Sequence, residues 1–237
     1  MHDKMMWFNE KIPFMFHANI VEWDMAKASL SVCEHFNLLD SKEIARMKAL
    51  PKLEREKAMG MHQRGNKEFS NLLLSGIREI RRKFLEVNEL DESNILSLHN
   101  DAVIFHSRKK IISDIEGIKF HHDNTWNAYI RYDRVEIFYK EDELGNGCLE
   151  FKNVGKDKAQ EHTFGLNKYL IKVINGIENY DRDVIRYMRK FNQQYMQDKL
   201  PEYYYSAFGK VGDFKTTNFE LFALMASIVV REVNSWK

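Results

Sequence analysis

Two cysteines, Cys33 and Cys148, are too few for a disulfide framework, and without a CxxC pair they do not suggest a thiolate zinc site. That usage fits a reducing cytoplasm. Prolines number three (Pro13, Pro51 and Pro201), and no low-complexity linker or repeat interrupts the chain. An excess of either charge is also missing: 36 lysines and arginines face 35 aspartates and glutamates, for a net charge of +1. This balance excludes a polybasic nucleic-acid coat and a strongly acidic binder, but not a charged groove. The longest apolar run, Leu221 to Val230, is broken by Ser227 and is too short to span a bilayer, so no membrane is expected. Residues Met1 to Pro13 carry Asp3, Lys4, Glu10 and Lys11, so no secretory leader is expected. The eleven glycines build no phosphate-cradling loop, nucleophile elbow or dinucleotide fingerprint.

What the chain does have is the balance of a folded protein, 44% apolar and 30% charged over 237 residues, enough to bury a core. Phe16 to Asp24 reads as a strand that places Glu22 and Asp24 on one face. A helix from Ala26 to about Phe36 follows, and Asp40 is suited to cap another. Phe69, Leu73, Ile77, Ile80 and Phe84 form an apolar stripe on a helix from Lys67 to Glu86. Its polar side ends in Arg78, Arg81, Arg82 and Lys83, which suit either the helix dipole or a phosphate surface.

Strands Asn94–His99 and Ala102–Ser107 flank the turn pair Asn100-Asp101 and form a hairpin. Gly117–His121, Trp126–Tyr132, Val135–Lys140 and Cys148–Phe151 continue as a meander, with Asp123-Asn124 read as one of its turns. From about Lys158 the pattern turns helical. Stripes run through Leu166, Leu170, Ile174 and Ile177, then through Val184, Tyr187, Met188, Phe191 and Tyr195. Thr217 to Glu220 reads as a capping box opening a last helix. The expected class is α+β, with a sheet domain over residues 1–155 and a helical region over 156–237.

Asp24 ends an apolar strand before a helix, and Asp101 lies at the bend of an apolar hairpin. Adjacent strands would bring these carboxylates together to hold divalent cations. Taken singly, Asp24 also reads as a helix cap and Asn100-Asp101 as an ordinary turn. His99, His106, His121 and His122 crowd the same region, but no acidic or cysteine partner has zinc-ligand spacing, so surface or hydrogen-bonded histidines are expected.

The order of these segments resembles motifs A, B and C of palm-domain nucleic-acid polymerases. Motif A corresponds to Glu22-Trp-Asp24-Met-Ala-Lys-Ala, motif B to Arg55 through Lys67, and motif C to Leu98-His99-Asn100-Asp101. The His-Asn-Asp bend is similar to the His-Asp bend of family A DNA polymerases and of single-subunit phage RNA polymerases. The short separation from Asp24 is nearer to reverse transcriptases. The resemblance covers roughly residues 16–151 and implies a palm-like antiparallel sheet backed by helices. The C-terminal part would then act as a thumb or docking surface.

It also implies template-directed nucleotidyl transfer by two-metal chemistry. Asp24 and Asp101 would be catalytic and hold Mg2+ or Mn2+ with Glu22. Lys57, Gln63, Arg64 and Lys67 would contact nucleotide or template, and Ser29, being small, would tolerate ribonucleotides. The implied partners are nucleic acid, nucleoside triphosphates and protein subunits of a larger polymerase assembly. Asn100 stands where those families carry the essential aspartate, which leaves a non-catalytic palm-like binding subunit as one alternative; a metal-dependent nuclease using the same acids is the other. Tyr187, Tyr195, Tyr203, Tyr204 and Tyr205 suit base stacking or, at helical spacing, a core.

Overall fold

The computed structural model describes residues 4–153, 164–205 and 214–236. The first elements are β1 (Met6–Phe8), β2 (Phe14–Met15), β3 (Ile20–Met25), α1 (Ala28–His35), α2 (Ser41–Ala49), α3 (Lys52–Gly65) and α4 (Lys67–Val87). Strands β4 (Ile95–His99), β5 (Ala102–His106), β6 (Asp114–Ile115), β7 (Ile118–Trp126), β8 (Ala128–Tyr132), β9 (Val135–Glu141) and β10 (Gly147–Lys152) follow. The chain then continues through α5 (Phe164–Glu178), α6 (Val184–Met196), a 3-10 turn at Glu202–Tyr205 and α7 (Phe214–Ser235). The protein is α+β, as expected.

Two compact units emerge: residues 1–10 with 20–125, and residues 11–19 with 126–237. The boundary expected at residue 155 lies outside the described residues. The division falls instead after Thr125, because β8, β9 and β10 form a sheet with β2 and share a core with α5, α6 and α7. The meander expected as one sheet is therefore split, with β7 belonging to the first sheet and β8–β10 to the second.

The first sheet has the order β1-β4-β5-β3-β7-β6. Strand β5 pairs antiparallel with both β4 and β3, and Asp24 lies opposite Ala102. Alternation sends Val21, Trp23 and Met25 of β3 into the helical core and turns Glu22 and Asp24 to the other face. The stripe on α4 behaves as expected, with Phe69, Leu73, Ile77, Ile80 and Phe84 all buried. Fully burying side chains of this kind contributes about 1.5–3 kcal/mol each. Caps act as their chemistry dictates: Asp40 accepts the amide of Glu43 at 2.9 Å, and Asn66 accepts that of Phe69 at 2.9 Å. Gly76 brings α4 against α1, since a Cβ there would stand 2.5 Å from Cγ1 of Val32.

Three expectations need correction. Arg81, assigned to the polar side of α4, is completely buried. Its guanidinium is consumed by main-chain carbonyls, donating to Asn100 O at 2.5 Å, to Met5 O at 3.1 Å and to Lys4 O. Asp123-Asn124 is not a turn but the interior of nine-residue β7, where buried Ile118 and Phe120 alternate with exposed polar residues. Helix α7 begins at Phe214, so the Thr217–Glu220 box lies within it.

The second sheet has the order β10-β9-β8-β2. Its core joins Ile130, Ile137 and Tyr139 to the α5 stripe of Leu166, Leu170, Ile174 and Ile177 and to Val184, Met188, Phe191 and Tyr195 of α6. Tyr195 is buried and stacks on Tyr205, with ring centroids 4.9 Å apart, and half-buried Tyr187 packs beside Tyr169. The tyrosines of α6 thus follow the core reading rather than forming a base-stacking surface.

Candidate metal centre and cavity

The β4–β5 hairpin turns through two residues, Asn100 and Asp101, and Asn100 has a φ of 47°. Asparagine tolerates this left-handed conformation better than most residues. The turn is fastened on both sides: Asn100 N–H donates to Met5 O at 2.7 Å, and Asn100 O accepts from Arg81. Met25 N–H donates to Asp101 O at 3.3 Å, tying the end of β3 to the same bend.

On the face of β3 turned away from the helices, Glu22, Asp24 and Asp123 each offer a carboxylate oxygen within 4.8 Å of the other two. Glu22 is only 3% exposed, and Asp123 reaches the group from β7. Asn124 bridges the outer pair, its Nδ2 donating to Glu22 Oε2 at 3.0 Å and to Asp123 Oδ2 at 3.2 Å. Three hard oxygen donors suit Mg2+ or Mn2+, whose trans ligands stand about 4.2 Å apart at ~2.1 Å metal–oxygen distances. The expected Glu22 and Asp24 are therefore united, but by Asp123 rather than Asp101.

Asp101 instead lines a cavity of about 210 Å³ with Lys27, Ser29, Arg55, Glu56 and Gln63. Burial pushes its carboxyl pKa upward. A hydrogen bond from its own backbone and the charges of Arg81 and His121 oppose that rise, and Glu22 reinforces it. Helix α3 delivers Arg55, Met59 and Gln63 to the cavity at four-residue spacing. Lys27, at a φ of 49°, opens α1 beside Ser29.

Of the residues expected to bind nucleotide or template, Ser29 and Gln63 meet Asp101 here. Lys57, Arg64 and Lys67 are exposed and are not among the residues lining the cavity. The cations near the end of α4 are engaged by acids rather than arrayed for phosphate. Arg82 pairs with Glu86 at 2.5 Å, and Lys83 with Glu116 at 2.8 Å and Glu79 at 3.3 Å. Three of the four histidines are hydrogen-bonded and the fourth, His121, is exposed: His99 Nε2 lies 3.2 Å from Ser97 Oγ, His106 Nε2 3.3 Å from Ser93 O, and His122 Nε2 2.8 Å from Thr125 Oγ1.

Sequence reasoning missed Asp123 and Lys27 as members of these sites, whereas Arg55 opens the segment matched to motif B. Asp123 was hidden by its turn-like neighbour Asn124. The four-residue spacing of Arg55, Met59 and Gln63 sets all three on the cavity side of α3.

No curated protein matches the sequence. A family model, that of the bacteriophage PBS1 gene 130 protein, matches residues 1–226, and the chain belongs to that family.

Proposed function

We propose that the first unit is a palm-like module for template-directed nucleotidyl transfer, working on nucleoside triphosphates and nucleic acid in the reducing cytoplasm. The observation that carries this reading is the convergence of Glu22, Asp24 and Asp123 from adjacent strands, beside the hairpin that β5 seats against β3. Glu22, Asp24 and Asp123 would hold Mg2+ or Mn2+. A divalent cation supplies positive charge for an attacking hydroxyl and a leaving pyrophosphate. Ser29, Gln63 and Arg55 would receive the nucleotide in the cavity, with Asp101 orienting polar groups there. Lys57, Arg64 and Lys67 would meet the template electrostatically from the exposed side of α3 and the start of α4. Protein subunits of a larger assembly would supply further template-handling surfaces.

The test is Mg2+-dependent extension of a primed template. Extension should fall to background in Asp24→Asn and Asp123→Asn, and the small Ser29 should allow ribonucleotides. Cleavage of the template without added nucleotides, lost in the same variants, would replace the polymerase reading with the nuclease one.

One observation favours a second reading. Asn100 occupies the bend while Asp101 lines the cavity and is not part of the carboxylate group. A non-catalytic palm-like binding subunit follows if nucleic acid is bound equally well by Asp24→Asn and the wild type, with no turnover by either.

A further inference from the structure

A second cavity, of about 500 Å³, lies within the other unit and is lined by His17, Tyr180, Arg182, Glu232, Ser235 and Trp236. Its volume is in the range of small-molecule sites. His17 and Tyr180 stack with ring centroids 4.4 Å apart and planes 4° from parallel, and Trp236 meets Tyr180 edge-to-face at 5.6 Å. Tyr180 is nevertheless 58% exposed.

Both stacked residues hold left-handed backbone, with φ of 51° at His17 and 55° at Tyr180. Tyr180 closes α5 at the position where helices usually place glycine: its N–H donates to Ile177 O, and that of Asp181 donates to Gly176 O. A bulky side chain there costs roughly 1 kcal/mol relative to glycine. The ring is retained at a position where the backbone favours its absence, and such strain gathers at functional sites.

The polar groups are arranged around this ring. His17 is clasped by Glu178, whose Oε1 accepts the His17 N–H at 2.8 Å and whose Oε2 stands 3.7 Å from Nδ1. His17 Nε2 and Trp236 Nε1 are buried without a hydrogen-bond partner among the described residues. Arg182 provides a guanidinium and Glu232 a carboxylate on the same wall.

We infer that this cavity binds a nucleobase carrying a phosphate. A planar ring extends the His17–Tyr180 stack, its amino or sugar hydroxyl groups donate to Glu232, and its phosphate pairs with Arg182. The balanced rim, one cation and one anion, favours such a ligand over inorganic phosphate alone. The inference does not rest on the reading of the first unit.

Titration of the full chain with each ribonucleoside 5′-monophosphate, followed by tryptophan fluorescence and calorimetry, tests it. Saturable binding of at least one monophosphate is expected. Tyr180→Gly, which suits the local φ and so keeps the fold by circular dichroism, should weaken it about five- to hundredfold. Tyr180→Phe should retain it. A short single-stranded oligonucleotide that competes with the monophosphate assigns the base to a strand, whereas failure to compete assigns it to a free nucleotide. The inference is overturned if no monophosphate saturates, if Tyr180→Gly binds as tightly as the wild type, or if inorganic phosphate binds as tightly as the nucleotide.

Discussion

Replacing Arg81 by methionine keeps side-chain volume and apolar packing while removing the guanidinium that holds the β4–β5 bend. Three carbonyls, those of Lys4, Met5 and Asn100, lose a charged donor. Hydrogen bonds to charged groups contribute about 1.5–3 kcal/mol each, so roughly 4.5–9 kcal/mol is lost. Against this stands the relief of a buried charge. Burial lowers the Arg81 pKa from 12.5 to about 10, with Arg78 adding to the fall and Asp101 opposing it. A depression of that size corresponds to a cost of roughly 3 kcal/mol that disappears with the charge.

The net destabilisation is then about 2–6 kcal/mol. At roughly 4 °C per kcal/mol for a unit of this size, even about 3 kcal/mol lowers the Tm by ~12 °C. Thermal denaturation by far-ultraviolet circular dichroism measures this, and hydrogen exchange at Asn100 should accelerate, because its N–H donates to Met5 O within the same clamp. Arg81→Lys should fall in between, since a compact ammonium cannot serve three carbonyls from a planar fork. A Tm loss under about 3 °C in Arg81→Met, or a lysine variant as stable as the wild type, would show that the fork does not hold the bend.

Two further perturbations probe the same unit. Gly76→Ala should cost about 1–3 kcal/mol, read as a lower denaturation midpoint at unchanged slope, because the new methyl meets Val32 and Phe36 side chains and forces α1 from α4. Asp101→Asn should stabilise the protein at pH 7 in urea titrations repeated across pH. The folded-state carboxyl has a raised pKa, so the native state binds more protons than the unfolded one, and stability falls as pH rises from the unfolded pKa near 4 through the raised value. The asparagine variant should lose that decline. An unchanged pH profile would show that the carboxyl is not desolvated in the fold.

Local chemistry made much of the architecture readable. Asp40 is a cap because its carboxylate meets the Glu43 amide three residues on, and the α4 stripe is core because 3.6-residue periodicity aligns Phe69 with Leu73, Ile77, Ile80 and Phe84. The hairpin was legible from two apolar runs around Asn100-Asp101, and its pairing with β3 brings the two aspartate-bearing segments together. Long-range partners were not legible. Arg81 sits 77 residues from Lys4 and 19 from Asn100, and nothing in the Arg78–Lys83 run distinguishes the one guanidinium that turns inward.

Asp123 shows why a site can be harder to read than the fold that carries it. Asp-Asn is a strong local turn signal, since both side chains can bond their own backbone. In β7 the amide of Asn124 instead donates across the sheet to Glu22, 102 residues earlier, and to its neighbour Asp123. Alternation sets His121 and Asp123 on the face away from the helical core, and polar His122 and Asn124 interrupt the other, so neither strand propensity nor an apolar run marks the segment. Three acidic side chains converge on this face, where the helical core does not exclude them, despite their like charge. Two-residue periodicity around Ile118 and Phe120 was the available signal. Extending it past His121 sets Asp123 on the face opposite Ile118 and Phe120 and leads to the carboxylate group that Asp24 and Glu22 begin.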